Sequence, residues 1–129
     1  MKTIVISLGG SLINPNNIDS DFIKRFKSLI STFSKKYKFV IVTGGGNTAR
    51  IYINALKKED INEKLQCLIG IRVTRLNAWF MTNFFNGISS KTIAKDLKDV
   101  KNLITKNNII FCGSLRYEEK NTSDGTAAK

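Results

Sequence analysis

Two glycine-rich segments contain the residues best suited to hold a phosphate group. They are Gly9, Gly10 and Ser11 after the first apolar run, and Gly44, Gly45 and Gly46 after the second. A strand that ends in glycines and leads into a helix leaves backbone N–H groups free at the helix start, where anions bind. Each loop alone is explained equally well as a tight turn. The presence of two such loops favours a phosphate cradle.

The segments next to these loops carry further candidate ligands. Arg50 lies one helical turn beyond the triple glycine, so it can reach back to a bound phosphate or stand as a solvated helix cation. Thr122, Ser123 and Asp124 offer caps for a later helix. Neither a Walker sequence nor the dinucleotide GxGxxG pattern is present. The sequence therefore predicts a phosphate site of a different type.

Three short apolar runs predict the strands that position these loops. They are Thr3 to Leu8, Lys38 to Thr43 and Asn108 to Cys112, and each ends at a glycine. The first run is β-branched and suits a buried strand of a parallel sheet. Adjacent parallel strands would bring the glycine loops and the later Thr-Ser-Asp cap to one crevice.

Helical spacing predicts the layers that cover the sheet. One helix is expected from Asp19 or Ser20, a second from Asn47 to about Lys57, and a third, mostly buried, from Leu65 to Phe85. Residues 89–106 are predicted to form a turn or short strand and then a helix. Residues 11–17 are predicted to form a loop.

The long third helix carries polar and aromatic side chains that need partners. Arg72 and Arg75 lie in its otherwise apolar sequence, which predicts an ion pair with Asp96 or Asp99, or a ligand phosphate. Its aromatic residues have helical spacing and suit a core or an interface: Trp79, Phe80, Phe84 and Phe85. Cys67 and Cys112 form no CxxC pair, so both are expected to be reduced and packed.

The composition excludes several classes of function. The 129 residues include no histidine, which removes mechanisms that use an imidazole base but leaves phosphoryl transfer, where positioning and electrostatics dominate. The net charge of +11 is spread along predicted helix faces, so nucleic-acid binding ranks low. No stretch has the uncharged length of a bilayer span, and the N-terminus lacks a signal-peptide cleavage pattern. These features predict a single cytoplasmic domain that binds no membrane.

The order of the segments resembles a known family. IVISLGGSLINP is followed by IVTGGGNTAR, by IGIRVTRLNA and by a closing TSD before an alanine-containing helix. This arrangement, over nearly the whole chain, resembles the uridylate kinases of the amino acid kinase superfamily. The GGS element is shared with acetylglutamate, carbamate and isopentenyl phosphate kinases. GGGNxxR together with IGIxxTxxNA indicates uridylate kinases of the archaeal type.

The resemblance implies a fold and a reaction. The fold would be the α/β amino acid kinase fold, a three-layer αβα sandwich around a mainly parallel sheet, here truncated. The reaction would transfer the γ-phosphoryl group of ATP to UMP, giving UDP in pyrimidine biosynthesis. Mg²⁺ would enter the site bound to ATP, and none of the site residues would be a metal ligand. Relatives are commonly hexamers, so a homo-oligomer is implied.

The resemblance also assigns roles to residues. The first glycine loop would hold the transferring phosphates, and the triple glycine would lie between the substrates. The resemblance assigns catalysis to Gly9, Gly10, Ser11 and Arg50. It assigns substrate binding to Gly44, Gly45, Gly46, Thr122, Ser123 and Asp124. Gly45 would meet the UMP phosphate, Gly46 and Arg50 would lie near the ATP phosphates, and the Thr-Ser-Asp segment would help to enclose the acceptor.

Two residues depart from the family pattern, and so does the loop from Ser114 to Asn121, which lacks the glycine- and proline-containing pattern usual before TSD. Ser7 stands where many members of the superfamily carry a phosphate-binding lysine, although some archaeal-type enzymes lack it as well. Cys67 stands where the family has an aspartate that binds the acceptor ribose, and a thiol cannot accept two hydroxyl hydrogen bonds as a carboxylate does. The resemblance thus implies a changed affinity or selectivity for UMP.

Residues 1–129 are therefore expected to form the N-terminal, acceptor- and phosphate-binding part of an amino acid kinase domain, without its C-terminal ATP-binding half. A helix beginning GTAAK that stops at Lys129 supports this expectation. One alternative is a non-catalytic nucleotide- or phosphate-binding module. Others are a different family member, such as isopentenyl phosphate or acetylglutamate kinase, and a basic nucleic-acid binder.

Overall fold

A parallel β-sheet forms the centre of the structure, a computed structural model that describes residues 1–115. The elements in chain order are β1 (Lys2–Leu8), α1 (Gly10–Ile13), α2 (Ser20–Phe33), β2 (Tyr37–Thr43), α3 (Gly46–Lys58), α4 (Glu63–Phe84), α5 (Leu97–Lys106) and β3 (Ile109–Cys112). The sheet order is β1-β2-β3, and both pairs of strands are parallel.

The register places the two glycine loops side by side. Leu8, the last residue of β1, lies opposite Thr43, the last residue of β2. The backbone N–H of Gly44 then donates to the Leu8 carbonyl at 2.9 Å. Because the two strands end level, the loops that follow them leave the sheet at the same edge, as the sequence predicts.

Side chains alternate between two hydrophobic layers, one on each face of the sheet. One layer joins the sheet to α2 and α4 and includes Phe39, Ile41, Ile109, Phe111, Ile23, Ile30, Met81 and Phe85. The other joins the sheet to α5 and includes Val40, Val42, Ile110, Cys112, Val100, Leu103 and Ile104. Helices thus cover both faces, and the predicted three-layer αβα arrangement is confirmed.

Strand β1 is more exposed than its apolar sequence predicts. Val5 is 52% exposed, and only Leu8 of this strand is buried. Within residues 1–115, β1 lies at the edge of the sheet and pairs only with β2. The prediction of a buried strand is wrong here because a short β-branched run suits an edge position as well as a central one.

Helix boundaries largely follow the predicted caps. The Asp19 side chain accepts a hydrogen bond from the Phe22 N–H at 3.1 Å, which confirms one of the two predicted caps of α2. Asn62 caps α4 in the same way, so this helix begins two residues earlier than predicted. The one-turn helix α1 overlaps the start of the loop predicted over residues 11–17.

Helix α4 is buried on one face only, which corrects the prediction of a mostly buried helix. Leu76 is 62% exposed and Trp79 is 38% exposed, whereas Ala78 and Met81 are fully buried. The sheet covers one side of the helix, and apolar residues also occupy the other side. Within residues 1–115, none of the helices has the length and apolar character that a membrane span requires.

The ion pair predicted for Arg75 is replaced by hydrogen bonds to the backbone, whereas Arg72 is exposed to solvent. Arg75 donates to the carbonyl oxygens of Ser114, Lys95 and Leu115 at 3.0 to 3.4 Å. Asp96 and Asp99 instead accept backbone N–H groups at the start of α5. Three carbonyl acceptors satisfy the guanidinium group without a carboxylate, so Arg75 ties α4 to the segment after β3.

Candidate functional site

The two glycine loops are in direct backbone contact. A Cβ atom at Gly10 would lie 2.5 Å from both the carbonyl carbon of Gly45 and the nitrogen of Gly46. A Cβ atom at Gly46 would lie 2.5 Å from the nitrogen of Ser11. No side chain fits between the loops at these positions. Glycine is therefore required at Gly10 and Gly46 for the loops to meet.

Backbone conformation adds a second reason for glycine at the start of α3. Gly46 has a φ of +59°, which lies in the left-handed region that side chains disfavour. At Gly45, a Cβ atom would lie 2.5 Å from the Cβ of Ala49, one turn further along α3. The triple glycine thus allows a tight turn from β2 into α3, with its backbone close to the first loop.

A cavity of about 490 Å³ opens over this contact. Its lining comprises both glycine loops and parts of α3 and α4, including Gly9, Gly10, Ser11, Gly44, Gly45, Gly46, Ala49, Arg50, Cys67, Gly70, Thr74 and Ser114. Seven of the ten predicted site residues therefore lie around one space. Thr122, Ser123 and Asp124, the other three, lie outside the described residues.

The side chain of Arg50 on α3 reaches the first glycine loop. One terminal nitrogen of its guanidinium group donates to the Ser11 hydroxyl oxygen at 3.3 Å, and both residues line the cavity. Arg50 is exposed, so the cation remains accessible to a ligand. Of the two interpretations that the sequence leaves open, the orientation toward the first loop favours the phosphate ligand.

Helix α4 contributes site residues to which the sequence assigned no role. The Asn77 side-chain nitrogen donates to the Gly44 carbonyl at 2.8 Å. The Thr74 hydroxyl accepts the Ser114 N–H at 2.9 Å, and the Thr43 hydroxyl donates to the Thr74 carbonyl at 2.8 Å. The available signals were the place of Thr74 and Asn77 in the IGIxxTxxNA pattern and their three-residue spacing on one side of an apolar helix.

The two cysteines lie in different environments. Cys67 is partly exposed in the cavity wall, whereas Cys112 is fully buried in β3. Burial in the apolar layer raises the pKa of the Cys112 thiol from 9.0 to about 12. Both are free thiols, as predicted, but the prediction that both are packed in the core is wrong for Cys67. Only Cys67 is placed to contact a ligand.

Within residues 1–115, no group of three His, Cys, Asp or Glu side chains is arranged to hold a metal ion. The chemical groups at the cavity are instead backbone amides, hydroxyls and one guanidinium group. These groups donate hydrogen bonds to anionic oxygens. The site is therefore suited to phosphate.

Comparison with known proteins identifies relatives of the chain. A model of the amino acid kinase family matches residues 2–129. The chain is 41% identical to the uridylate kinase of Thermoplasma acidophilum over 128 residues, which cover 98% of this chain and 54% of that protein. It is 31% identical to the uridylate kinase of Methanosarcina mazei over 125 residues, 97% of this chain and 52% of that protein. The chain thus spans about half the length of the curated relatives it matches.

Solved structures show the same fold. The structure resembles the uridylate kinase of Archaeoglobus fulgidus with a TM-score of 0.84 at 30% identity, covering 99% of this chain and 56% of that one. It resembles the UMP kinase of Ureaplasma parvum with a TM-score of 0.82 at 26% identity, covering 98% of this chain and 60% of that one. The predicted fold is confirmed, and the chain covers a little over half of each of these structures. The chain belongs to the amino acid kinase family.

Proposed function

We propose that this chain is the acceptor- and phosphate-binding part of a UMP kinase, which transfers the γ-phosphoryl group of ATP to UMP and gives UDP. The observation that carries the proposal is the contact between the two glycine loops, with Arg50 and Ser11 hydrogen-bonded beside it. Two phosphate-binding loops in contact are what a transfer between two phosphates needs. The similarity to uridylate kinases supports UMP as the acceptor.

The proposal gives each loop a role in charge stabilisation. Gly9, Gly10 and Ser11 hold the transferring phosphates, and the triple glycine at Gly44, Gly45 and Gly46 separates the two nucleotides. Arg50 balances negative charge that spreads over the equatorial oxygens during in-line transfer. Thr122, Ser123 and Asp124 help to enclose the acceptor. No side chain has to act as a general base in this scheme.

ATP is the proposed donor, and its phosphates fit the amide and guanidinium groups at the cavity. A resident Mg²⁺ does not fit the described part of the chain equally well, because residues 1–115 offer no cluster of carboxylates. Any Mg²⁺ would therefore enter with the ATP phosphates, and we assign it no step. Since the relatives are about twice as long, we assign binding of the ATP adenine and ribose to the half of those relatives that this chain does not match.

We also propose that copies of the chain associate through the outer face of α4. Leu65, Leu76 and Trp79 are 47%, 62% and 38% exposed along this helix. Leu65, Ile69, Leu76 and Trp79 follow the alternating four- and three-residue spacing of a helix–helix seam, whose remaining positions are the polar residues Arg72 and Asn83. An identical face on a second copy would cover these side chains. A homo-oligomer is therefore the proposed state, with the family hexamer as one possible assembly.

The main alternative is a nucleotide- or phosphate-binding module without catalytic activity. It uses the same loops and predicts binding without turnover. The two functions differ only when both nucleotide sites are present in one protein. A fusion can supply both, because the solved relatives share this fold.

The test joins residues 1–129 to the part of the Thermoplasma acidophilum uridylate kinase that this chain does not match, and it measures UDP formation from ATP and UMP. We expect turnover, and a loss of about a hundredfold for Arg50→Ala. Arg25→Ala is the matched control, since it removes the same charge from α2 outside the cavity. A folded fusion that binds both nucleotides but forms no UDP would contradict the kinase proposal and favour the module.

A further inference from the structure

The peptide between Gly44 and Gly45 needs an anchor that the sheet does not supply. The preceding peptide is fixed by the bond from the Gly44 N–H to the Leu8 carbonyl at 2.9 Å. The following peptide is fixed by the Ala49 N–H, which donates to the Gly45 carbonyl at 3.3 Å. The peptide in between is held by Asn77, whose side chain donates to the Gly44 carbonyl at 2.8 Å.

The orientation of this peptide determines which group is presented to a ligand. No peptide bond within residues 1–115 is cis, so the Gly44 carbonyl and the Gly45 N–H point in opposite directions. The Gly45 N–H finds no protein acceptor among residues 1–115. While Asn77 holds the carbonyl, this N–H remains available for another acceptor.

The flanking residues make an unanchored peptide easy to turn over. Glycine lies on both sides of the bond, and glycine allows a wide range of backbone angles. A flipped peptide would exchange the N–H for a carbonyl oxygen, whose partial negative charge repels phosphate. Asn77 is 8% exposed, so its carboxamide is fixed by the packing of α4. The loop alone therefore does not guarantee its own binding geometry.

We propose that Asn77 is a positioning residue that holds the Gly44–Gly45 peptide with the Gly45 N–H available to the acceptor phosphate. This inference rests on the proposed function and deepens it, since it assigns the orientation of the phosphate loop to α4. Asn77 does not touch the substrate. It acts through the Gly44 carbonyl, and its effect is therefore specific for ligands that carry a phosphate.

The experiment titrates the 129-residue chain, labelled with ¹⁵N-glycine, with UMP and with uridine, and follows the Gly45 amide signal by NMR. In the wild-type chain we expect UMP, but not uridine, to shift this signal. Asn77→Leu preserves the approximate side-chain volume and removes the donor, so it should weaken UMP binding at least tenfold and abolish the Gly45 shift. Asn77→Ala, which cannot overpack the site, provides a second test if the leucine variant does not fold.

Thr82→Val is the matched control, because Thr82 is also buried on α4 and its hydroxyl has no hydrogen-bond partner within residues 1–115. This variant should bind UMP as the wild-type chain does. If a folded Asn77 variant keeps its UMP affinity and its Gly45 shift, the role of Asn77 is overturned while the proposed function stands. If the wild-type chain bound no UMP, the proposed function would fail and the inference with it.

Discussion

At the residue scale, the site depends on the absence of side chains as much as on their presence. Gly10 and Gly46 bring two backbones together at distances that no Cβ atom permits. Their identity as glycines was evident in the sequence, and so was their position at strand ends. The contact between them was not, because it depends on the register of β1 against β2. A pattern along one strand does not encode that register.

Substitution of Gly10 tests this contact directly. In Gly10→Ala the new methyl group would meet the Gly45 and Gly46 backbone at 2.5 Å, so the loops must separate. We expect a loss of about 3 kcal/mol in the free energy of unfolding, measured by urea denaturation. Gly9→Ala is the control, because a Cβ atom there meets nothing within 4 Å. Equal stability of the two variants would contradict the loop contact.

Cys112 provides a prediction about how stability depends on pH. Burial raises the pKa of Cys112 from 9.0 to about 12, so the folded chain keeps this thiol protonated where the unfolded chain releases its proton. The Cys112 thiol therefore does not reduce the free energy of unfolding below pH 9. It lowers that free energy as the pH rises from 9 toward 12. Cys112→Ala should lose less stability than the wild-type chain over that range, as measured by urea denaturation.

A thiol reagent separates the two positions in the native chain. Cys67 in the cavity wall should react at neutral pH, and Cys112 should react only after unfolding. UMP should slow the reaction of Cys67 if the cavity is the acceptor site. Rapid modification of both thiols in the folded chain would show that the β3 layer is not closed.

At the scale of the elements, the sequence predicts the positions of the helices and strands well. It predicts their solvent exposure and their distant hydrogen-bond partners less well. The strand runs and the Asp19 cap were correct because they depend on local chemistry. The exposure of β1 and of one face of α4 was not predicted, since apolar residues occur on both sides of each element. Arg75 was expected to pair with Asp96, Asp99 or a ligand phosphate, but two carbonyls after β3 and the Lys95 carbonyl before α5 accept its hydrogen bonds. Such partners are distant in sequence and leave no local pattern.

The exposed face of α4 leads to a prediction about association. Leu76→Lys places a charge at the centre of the proposed seam, so it should shift the chain toward monomers in sedimentation velocity. Leu29→Lys is the matched control, because Leu29 on α2 is 54% exposed and lies outside the seam. A wild-type chain that sediments only as a monomer, even at high concentration, would contradict association through α4.

At the scale of the whole molecule, the sheet, the covering helices and the site follow one plan. Parallel strands end level at one edge, the loops that follow them meet there, and α4 ties the ends of β2 and β3 to its own buried face. The order of the motifs was sufficient to predict the family. Family membership alone did not reveal the role of Asn77, which became visible only when the loop peptides were traced to their hydrogen-bond partners.

The central claim is that the contacting glycine loops form a site for the phosphate of UMP. Its most direct test is a calorimetric titration of the 129-residue chain with UMP, with uridine as the reference ligand. We expect micromolar binding of UMP and much weaker binding of uridine. Equal affinity for UMP and uridine, or no binding of UMP by the folded chain, would contradict it.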